Sequence, residues 1–142
     1  MQPRILVPFD FGPAAQLALD WAADLHRSVG GGSIKLVHVV NVMPTAAELR
    51  ASALMPSEQE IEKLKTALRA VAAKLGPETQ SELVMGTHLG TAVVEAARHW
   101  SAQLIVMGTH GRGALGRLVL GSVADHVMRN ADCPVVTMRV AE

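Results

Sequence analysis

Residues 108–122 read Gly-Thr-His-Gly-Arg-Gly-Ala-Leu-Gly-Arg-Leu-Val-Leu-Gly-Ser. Five of the chain's 12 glycines fall between Gly108 and Gly121, with two arginines and no acid. Glycines let a backbone approach an anion closely and take positive φ. Successive N–H groups can then line an anion-binding concavity. A helix starting at Ser122 would add unpaired N–H donors and a partial positive charge. The Ser122 hydroxyl is a further donor, and Arg112 or Arg117 can add a charge-assisted contact. This is chemistry for holding an oligophosphate. A flexible surface loop stays open as the alternative reading of the glycines. Each arginine stays open between phosphate contact and solvated charge.

Two better-known phosphate loops do not fit. A Walker A loop ends in Gly-Lys-Ser/Thr, and no lysine follows Lys74. A dinucleotide fingerprint occupies the first strand-to-helix turn, which here reads Asp10-Phe11-Gly12-Pro13. Asp10 would repel a bare phosphate. It is expected to contact ribose hydroxyls or a divalent metal, or else to cap a helix.

The remaining chemistry-bearing residues form no catalytic set. The six histidines include no His-Glu-x-x-His pair. His110 lies inside the loop, where ordering the loop is the expected role rather than acid–base work. His38 is expected to be a satisfied core residue on a strand. His26, His88, His99 and His126 stand in no visible constellation. Cys133 is the only cysteine, so it makes no internal disulfide and no Cys-rich zinc site. It reads as a small buried side chain. No catalytic residue and no protein-built metal site is assigned.

These residues need elements to position them. Residues 5–7 are a short apolar run ended by Pro8, as in a buried strand. Pro13 suits a first helical turn. Ala14, Leu17, Trp21, Leu25 and Val29 then recur at helical spacing, up to three glycines at 30–32. Residues 34–40 form a second strand. Residues 41–56 are irregular, with a possible short helix from the Thr45/Glu48 spacing. Ser57 and Glu60 make a capping box for a helix whose apolar face is Ile61, Leu64, Leu68, Val71 and Leu75. Gly76-Pro77 ends it. A strand at 82–85, a helix opening at Gly90-Thr91, a strand at 104–107, a helix from Ser122 and a last strand at 134–140 complete the chain.

Alternation of this kind predicts an α/β domain over residues 1–142, a parallel sheet with helices on both faces. Right-handed crossovers put the strand-to-helix loops at one edge. Ligands of open α/β sheets bind there. Asp10 and the Gly108 loop both follow strands, so both belong to that edge.

Composition narrows the partners. The 142 residues are 49% hydrophobic and 18% charged, which suits a folded globule. Thirteen basic and 13 acidic residues give zero formal net charge, and only four aromatics are present. Neither nucleic acid nor an anionic membrane gains general attraction. No apolar run reaches the ~20 residues of a membrane span, and no signal peptide is visible. The expected location is the cytoplasm.

The spacing Gly108-x2-Gly111-x9-Gly121-Ser122 resembles the nucleotide-binding signature of the universal stress proteins. The resemblance runs along the whole chain. It includes 5–11 (Ile-Leu-Val-Pro-Phe-Asp-Phe), 36–39 (Leu-Val-His-Val), 106–111 (Val-Met-Gly-Thr-His-Gly), 121–124 (Gly-Ser-Val-Ala) and 133–136 (Cys-Pro-Val-Val). It implies a three-layer α/β/α sandwich, Rossmann-like and adenine nucleotide alpha hydrolase-like, with a five-stranded parallel sheet of order 3-2-1-4-5. It also implies that the chain falls in the ATP-binding branch. Pro8, Asp10 and Val39 would line the adenine and ribose end. Met107, Gly108, Gly111, Gly121, Ser122 and Val123 would hold the phosphates, with His110, Arg112 and Gly113 in the same loop. Mg²⁺ would be held mainly by the phosphates. The resemblance further implies a homodimer through the last strand, an edge that otherwise needs cover. Two departures stand out. Gly12-Pro13 replaces a more usual polar pair, and Gly90-Thr91-Ala92 stands where many members have a Gly-x-Pro turn.

Three functions follow. The first is an ATP-binding stress-response regulator, acting through nucleotide-dependent conformation and an unidentified protein partner. The second is a slow ATPase or phosphotransferase, which would need a group to position water. The third is a nucleotide-independent dimeric interaction or chaperone-like module.

Overall fold

The computed structural model describes residues 2–42, 56–110 and 120–141. Strands and helices alternate: β1 Arg4–Pro8, α1 Pro13–Ser28, β2 Ser33–Asn41, α2 Glu58–Leu75, β3 Thr79–Gly86, α3 Leu89–Trp100, β4 Leu104–Gly108, α4 Ser122–Asn130 and β5 Val135–Met138. All strand pairs are parallel, in the order β3-β2-β1-β4-β5. That is the architecture and strand order expected from the sequence. The short helix considered within 41–56 lies almost wholly outside the described residues.

β1 is the centre of the sheet because it is apolar on both faces. Ile5, Leu6 and Val7 are fully buried. Successive side chains of a strand point to opposite faces, so Ile5 and Val7 join one core and Leu6 the other. The first core holds α1 and α2 against the sheet through Ala18, Leu19, Leu68 and Ala72. The second holds α3 and α4 through Val93, Val94, Ala124 and Val127. A side chain such as Leu19, 1% exposed, stabilises the fold by about 2 kcal/mol.

α1 corrects one expectation. Leu17 and Trp21 were expected on its buried face, yet they are 37% and 38% exposed, and Val29 lies beyond the helix end. The buried face is instead Ala14, Ala15, Ala18, Leu19, Ala22 and Ala23. Both stripes have helical periodicity, and proximity decides between them. A Cβ on Gly108 would lie 2.7 Å from the Ala14 Cβ. The start of the helix thus sits so close to the end of β4 that only a small side chain fits at Ala14.

α2 forms as its capping box predicts. Ser57 Oγ accepts from the Glu60 N–H at 3.1 Å, and the Glu60 carboxylate accepts from the Ser57 N–H at 3.0 Å. β3 is longer than its apolar run, because Thr79, Gln80 and Ser81 pair with Ile34, Lys35 and Leu36 of β2. β5 is shorter than expected. Pro134 has no N–H to pair, and Arg139 and Val140 are exposed beyond the ladder. α3 begins at Leu89, so residues 90–92 lie inside its first turn and do not form the turn before it.

Candidate functional site

β1 and β4 are neighbours, but the helices that follow them cover opposite faces of the sheet: α1 belongs to one core and α4 to the other. The chain therefore opens a crevice at the carboxyl ends of these two strands, where open α/β sheets bind ligands. A cavity of about 400 Å³ occupies it. That volume is within the range of small-molecule sites.

The cavity gathers most of the residues named from the sequence. Pro8 and Asp10 come from the end of β1, and Val39 from β2. Met107, Gly108 and His110 come from the end of β4. Gly121, Ser122 and Val123 come from the start of α4. Gly111, Arg112 and Gly113, with Arg117, lie outside the described residues. Val37, Val93 and Ala124 add apolar wall. Sequence reasoning missed the contribution of α3, whose Leu89 and Val93 both line the cavity. Their i, i+4 spacing was the available signal.

Asp10 is held by the turn that follows it. Its Oδ1 accepts from the Gly12 N–H at 2.9 Å. A side chain on Gly12 would place its Cβ 2.9 Å from the same oxygen. The glycine that departs from the usual polar pair is thus the residue this turn requires. Between them Phe11 adopts φ +65°, an uncommon conformation for a bulky side chain. Phe9 and His38 hold it there, with edge-to-face ring contacts at 5.1 and 5.3 Å. Backbone strain of this kind persists only where its surroundings fix it, and it clusters at functional sites. His38 Nδ1 lies 2.8 Å from the Phe9 carbonyl. A carbonyl only accepts, so Nδ1 carries the proton. The ring is satisfied as expected, but it is half-buried and faces the cavity.

The far wall depends on close backbone approach. The Gly121 N–H donates to the Thr109 carbonyl at 2.7 Å, and the Thr109 N–H to the Met138 carbonyl at 2.9 Å. A Cβ on Gly121 would lie 2.6 Å from the Thr109 oxygen. Gly108 and Gly121 therefore have a packing role that the sequence did not disclose. They let α1 and the start of α4 close on β4. Gly121 caps α4 by backbone conformation alone, and Ser122 is the first helical residue and exposed. The first N–H groups of α4 lack intrahelical acceptors and stand at the cavity. His110 Nδ1 and the Thr109 hydroxyl are 3.0 Å apart, and His110 Nε2 is buried with no hydrogen-bond partner among the described residues. Among the described residues no group of three or more His, Cys, Asp or Glu could hold a metal ion. No described helix is long and apolar enough to cross a membrane.

The Universal stress protein family model matches residues 1–139 of this chain. A universal stress protein of Methanocaldococcus jannaschii, MJ0531, is 30% identical over 143 residues, covering 96% of this chain and 81% of that protein. Two solved structures share the fold. One, a universal stress protein in complex with cAMP, superposes with a TM-score of 0.69 at 20% identity, covering 98% of each chain. The other, from Archaeoglobus fulgidus in complex with dAMP, superposes with a TM-score of 0.67 at 22% identity, covering 97% of this chain and 98% of that one.

Proposed function

The chain belongs to the universal stress protein family, and on that premise we propose that its cavity binds an adenine nucleotide, with ATP the expected ligand. The observation that carries the reading is the meeting of Asp10 with Gly108 and the start of α4 around one 400 Å³ space. A carboxylate at one end suits ribose hydroxyls, and helix N–H groups without intrahelical acceptors at the other suit phosphate oxygens. In this reading Pro8, Asp10 and Val39 line the base and ribose. Met107, Gly108, Gly111, Gly121, Ser122 and Val123 hold the phosphates, with His110, Arg112 and Gly113 beside them. The fold neighbours solved with cAMP and dAMP support an adenine nucleotide as the ligand class.

Mg²⁺ enters with the ligand, held mainly by phosphate oxygens. The ion would neutralise part of the phosphate charge. Binding would tie the end of β4 to the start of α4 and change the surface that a protein partner reads. This is a regulatory role in the cytoplasm, for a single domain spanning residues 1–142. β5 stands at the sheet edge, with Val140 44% exposed just beyond it. Pairing this edge across a two-fold axis would give a homodimer, sedimenting at twice the 15.0 kDa of the chain.

Titration calorimetry with ATP, ADP, AMP and cAMP, each with and without Mg²⁺, tests the ligand. GTP serves as the control. Saturable binding of at least one adenine nucleotide, tighter than GTP, is expected. Equal heats for ATP and GTP would remove the base from the reading. A parallel phosphate-release assay separates binding from turnover: release that persists unchanged in Gly121→Val belongs to a contaminant.

A further inference from the structure

The sequence left His88 and His126 without partners, yet the fold brings them together. His88 precedes α3 and His126 lies on α4, with ring centroids 4.7 Å apart. Thr91 stands between them. Its N–H donates to His88 Nδ1 at 3.1 Å, so His88 is the N-cap of α3. Its hydroxyl is 3.0 Å from the same Nδ1 and 3.4 Å from His126 Nε2. Gly90 leaves room for this arrangement, since a Cβ there would lie 2.8 Å from the His126 ring.

The hydrogen bonds fix the protons. An atom that accepts from a backbone N–H cannot carry its own proton. His88 Nδ1 therefore bears a lone pair, and the neutral ring carries its hydrogen on Nε2. The Thr91 hydroxyl lies between the two rings, within reach of His88 Nδ1 and of His126 Nε2. The α3 cap is complete only while His88 Nδ1 is unprotonated. A proton on Nδ1 would face the Thr91 N–H, leave the α3 cap without an acceptor, and set two imidazoles of 4.7 Å separation in charge conflict whenever both are protonated.

We propose that His88, Thr91 and His126 form a proton-sensitive joint between α3 and α4, closed when both imidazoles are neutral and opened by protonation of His88. His88 is exposed and so meets solvent protons directly. Histidine is the side chain whose ordinary charge change falls between pH 5 and 8. The other charged groups nearby are committed elsewhere or lie further along their elements. On α4, Asp125 is paired with Arg129. On α3, Arg98 is bound to Asp132, and Glu95 and His99 lie in later turns. On the strands under α3, Lys35 pairs with Glu82 and His38 with the Phe9 carbonyl. Among the described residues no carboxylate pairs with either ring. The geometry sets the direction: the cap is made with Nδ1 unprotonated and is lost when Nδ1 takes a proton.

The joint also borders the cavity, because Leu89 and Val93 of α3 and residues 122–124 of α4 line it. Acid is therefore expected to weaken ligand binding. This last clause rests on the nucleotide reading; the joint does not.

Nitrogen-15 spectra of the imidazoles test the joint without any ligand. At pH 8, His88 Nδ1 should appear unprotonated and Nε2 protonated; a proton on Nδ1 overturns the proposal. Amide exchange of Thr91 supplies the second arm. Corrected for intrinsic rates, its protection should fall about fivefold between pH 8 and pH 5.5, the scale of a lost N-cap. His88→Asn keeps an acceptor that does not titrate, and it should hold its protection across that range. An identical pH response in wild type and H88N would overturn the proposal. His126→Gln, which keeps an N–H donor, should retain the fall. If the joint passes these tests while no nucleotide binds at either pH, only the nucleotide reading fails.

Discussion

Gly108 offers a quantitative check on the packing argument. In Gly108→Ala the new Cβ would lie 2.7 Å from the Ala14 Cβ, 3.1 Å from the Ala14 carbonyl carbon and 3.3 Å from the Ala15 nitrogen. Two of these three contacts are with helix backbone, so α1 must retreat from β4. Overpacking of this kind costs about 1–3 kcal/mol. Ala14→Gly alone costs about 0.8 kcal/mol for the lost buried methyl, with a smaller propensity cost than in a helix interior, because Ala14 is the second residue of α1. The double variant removes the tightest contact and leaves the other two. Its loss should therefore fall short of the sum of the singles by ~1 kcal/mol, a coupling of the size seen between touching residues. Urea unfolding of the four proteins measures this. In melting temperature, the Gly108→Ala single should lose roughly 3 °C per kcal/mol for a chain of this length. Strict additivity of the two substitutions, or a Gly108→Ala protein as stable as wild type, would refute the close approach of α1 to β4. Glycine 108 would then be left with a ligand role alone.

Three further outcomes are expected. Asp10→Asn keeps an oxygen for the Gly12 N–H but loses the charge, so nucleotide affinity should fall about fivefold; calorimetry measures it. Ser57→Ala removes the side-chain half of the capping box, which should cost about 1 kcal/mol in urea unfolding and raise amide exchange in the first turn of α2. Burial pushes the Cys133 thiol up, and the adjacent Asp132 charge adds to it. Less thiolate is then present at pH 8 than in a free cysteine. Alkylation by iodoacetamide should be slower in the folded protein, rise with pH, and reach the rate of free cysteine in denaturant.

Much of the fold was legible because β1 and β4 carry continuous apolar runs, which a sheet buried on both faces requires, and because β2 is rich in Ile, Leu and Val around Lys35 and His38. β3 was less so. Its first three residues are polar and join the sheet through backbone pairing, which leaves no mark on side-chain pattern. α1 misled because two helical stripes overlap in one sequence. The large residues Leu17 and Trp21 drew attention, while the alanines that face the sheet took their meaning from Gly108, some 90 positions away. Part of the site was legible for a similar reason: Asp10 follows β1 and Gly108 ends β4, and topology places strand ends together. The contribution of α3 was not, because Leu89 and Val93 become wall residues only once α3 is packed beside α4. The histidine pair was invisible from spacing, since a joint between two helices depends on their packing and not on residue separation.

The central claim is that the cavity between Asp10 and the start of α4 holds an adenine nucleotide. The most direct measurement is the melting temperature of the purified, nucleotide-stripped protein with ATP and Mg²⁺ at 100 times Kd, alongside mass identification of whatever heat releases from unstripped protein. Binding at that level contributes ~2.7 kcal/mol, so melting should rise by about 8 °C, and an adenine nucleotide should be among the released molecules. No rise with any adenine nucleotide, together with none released, would contradict the account.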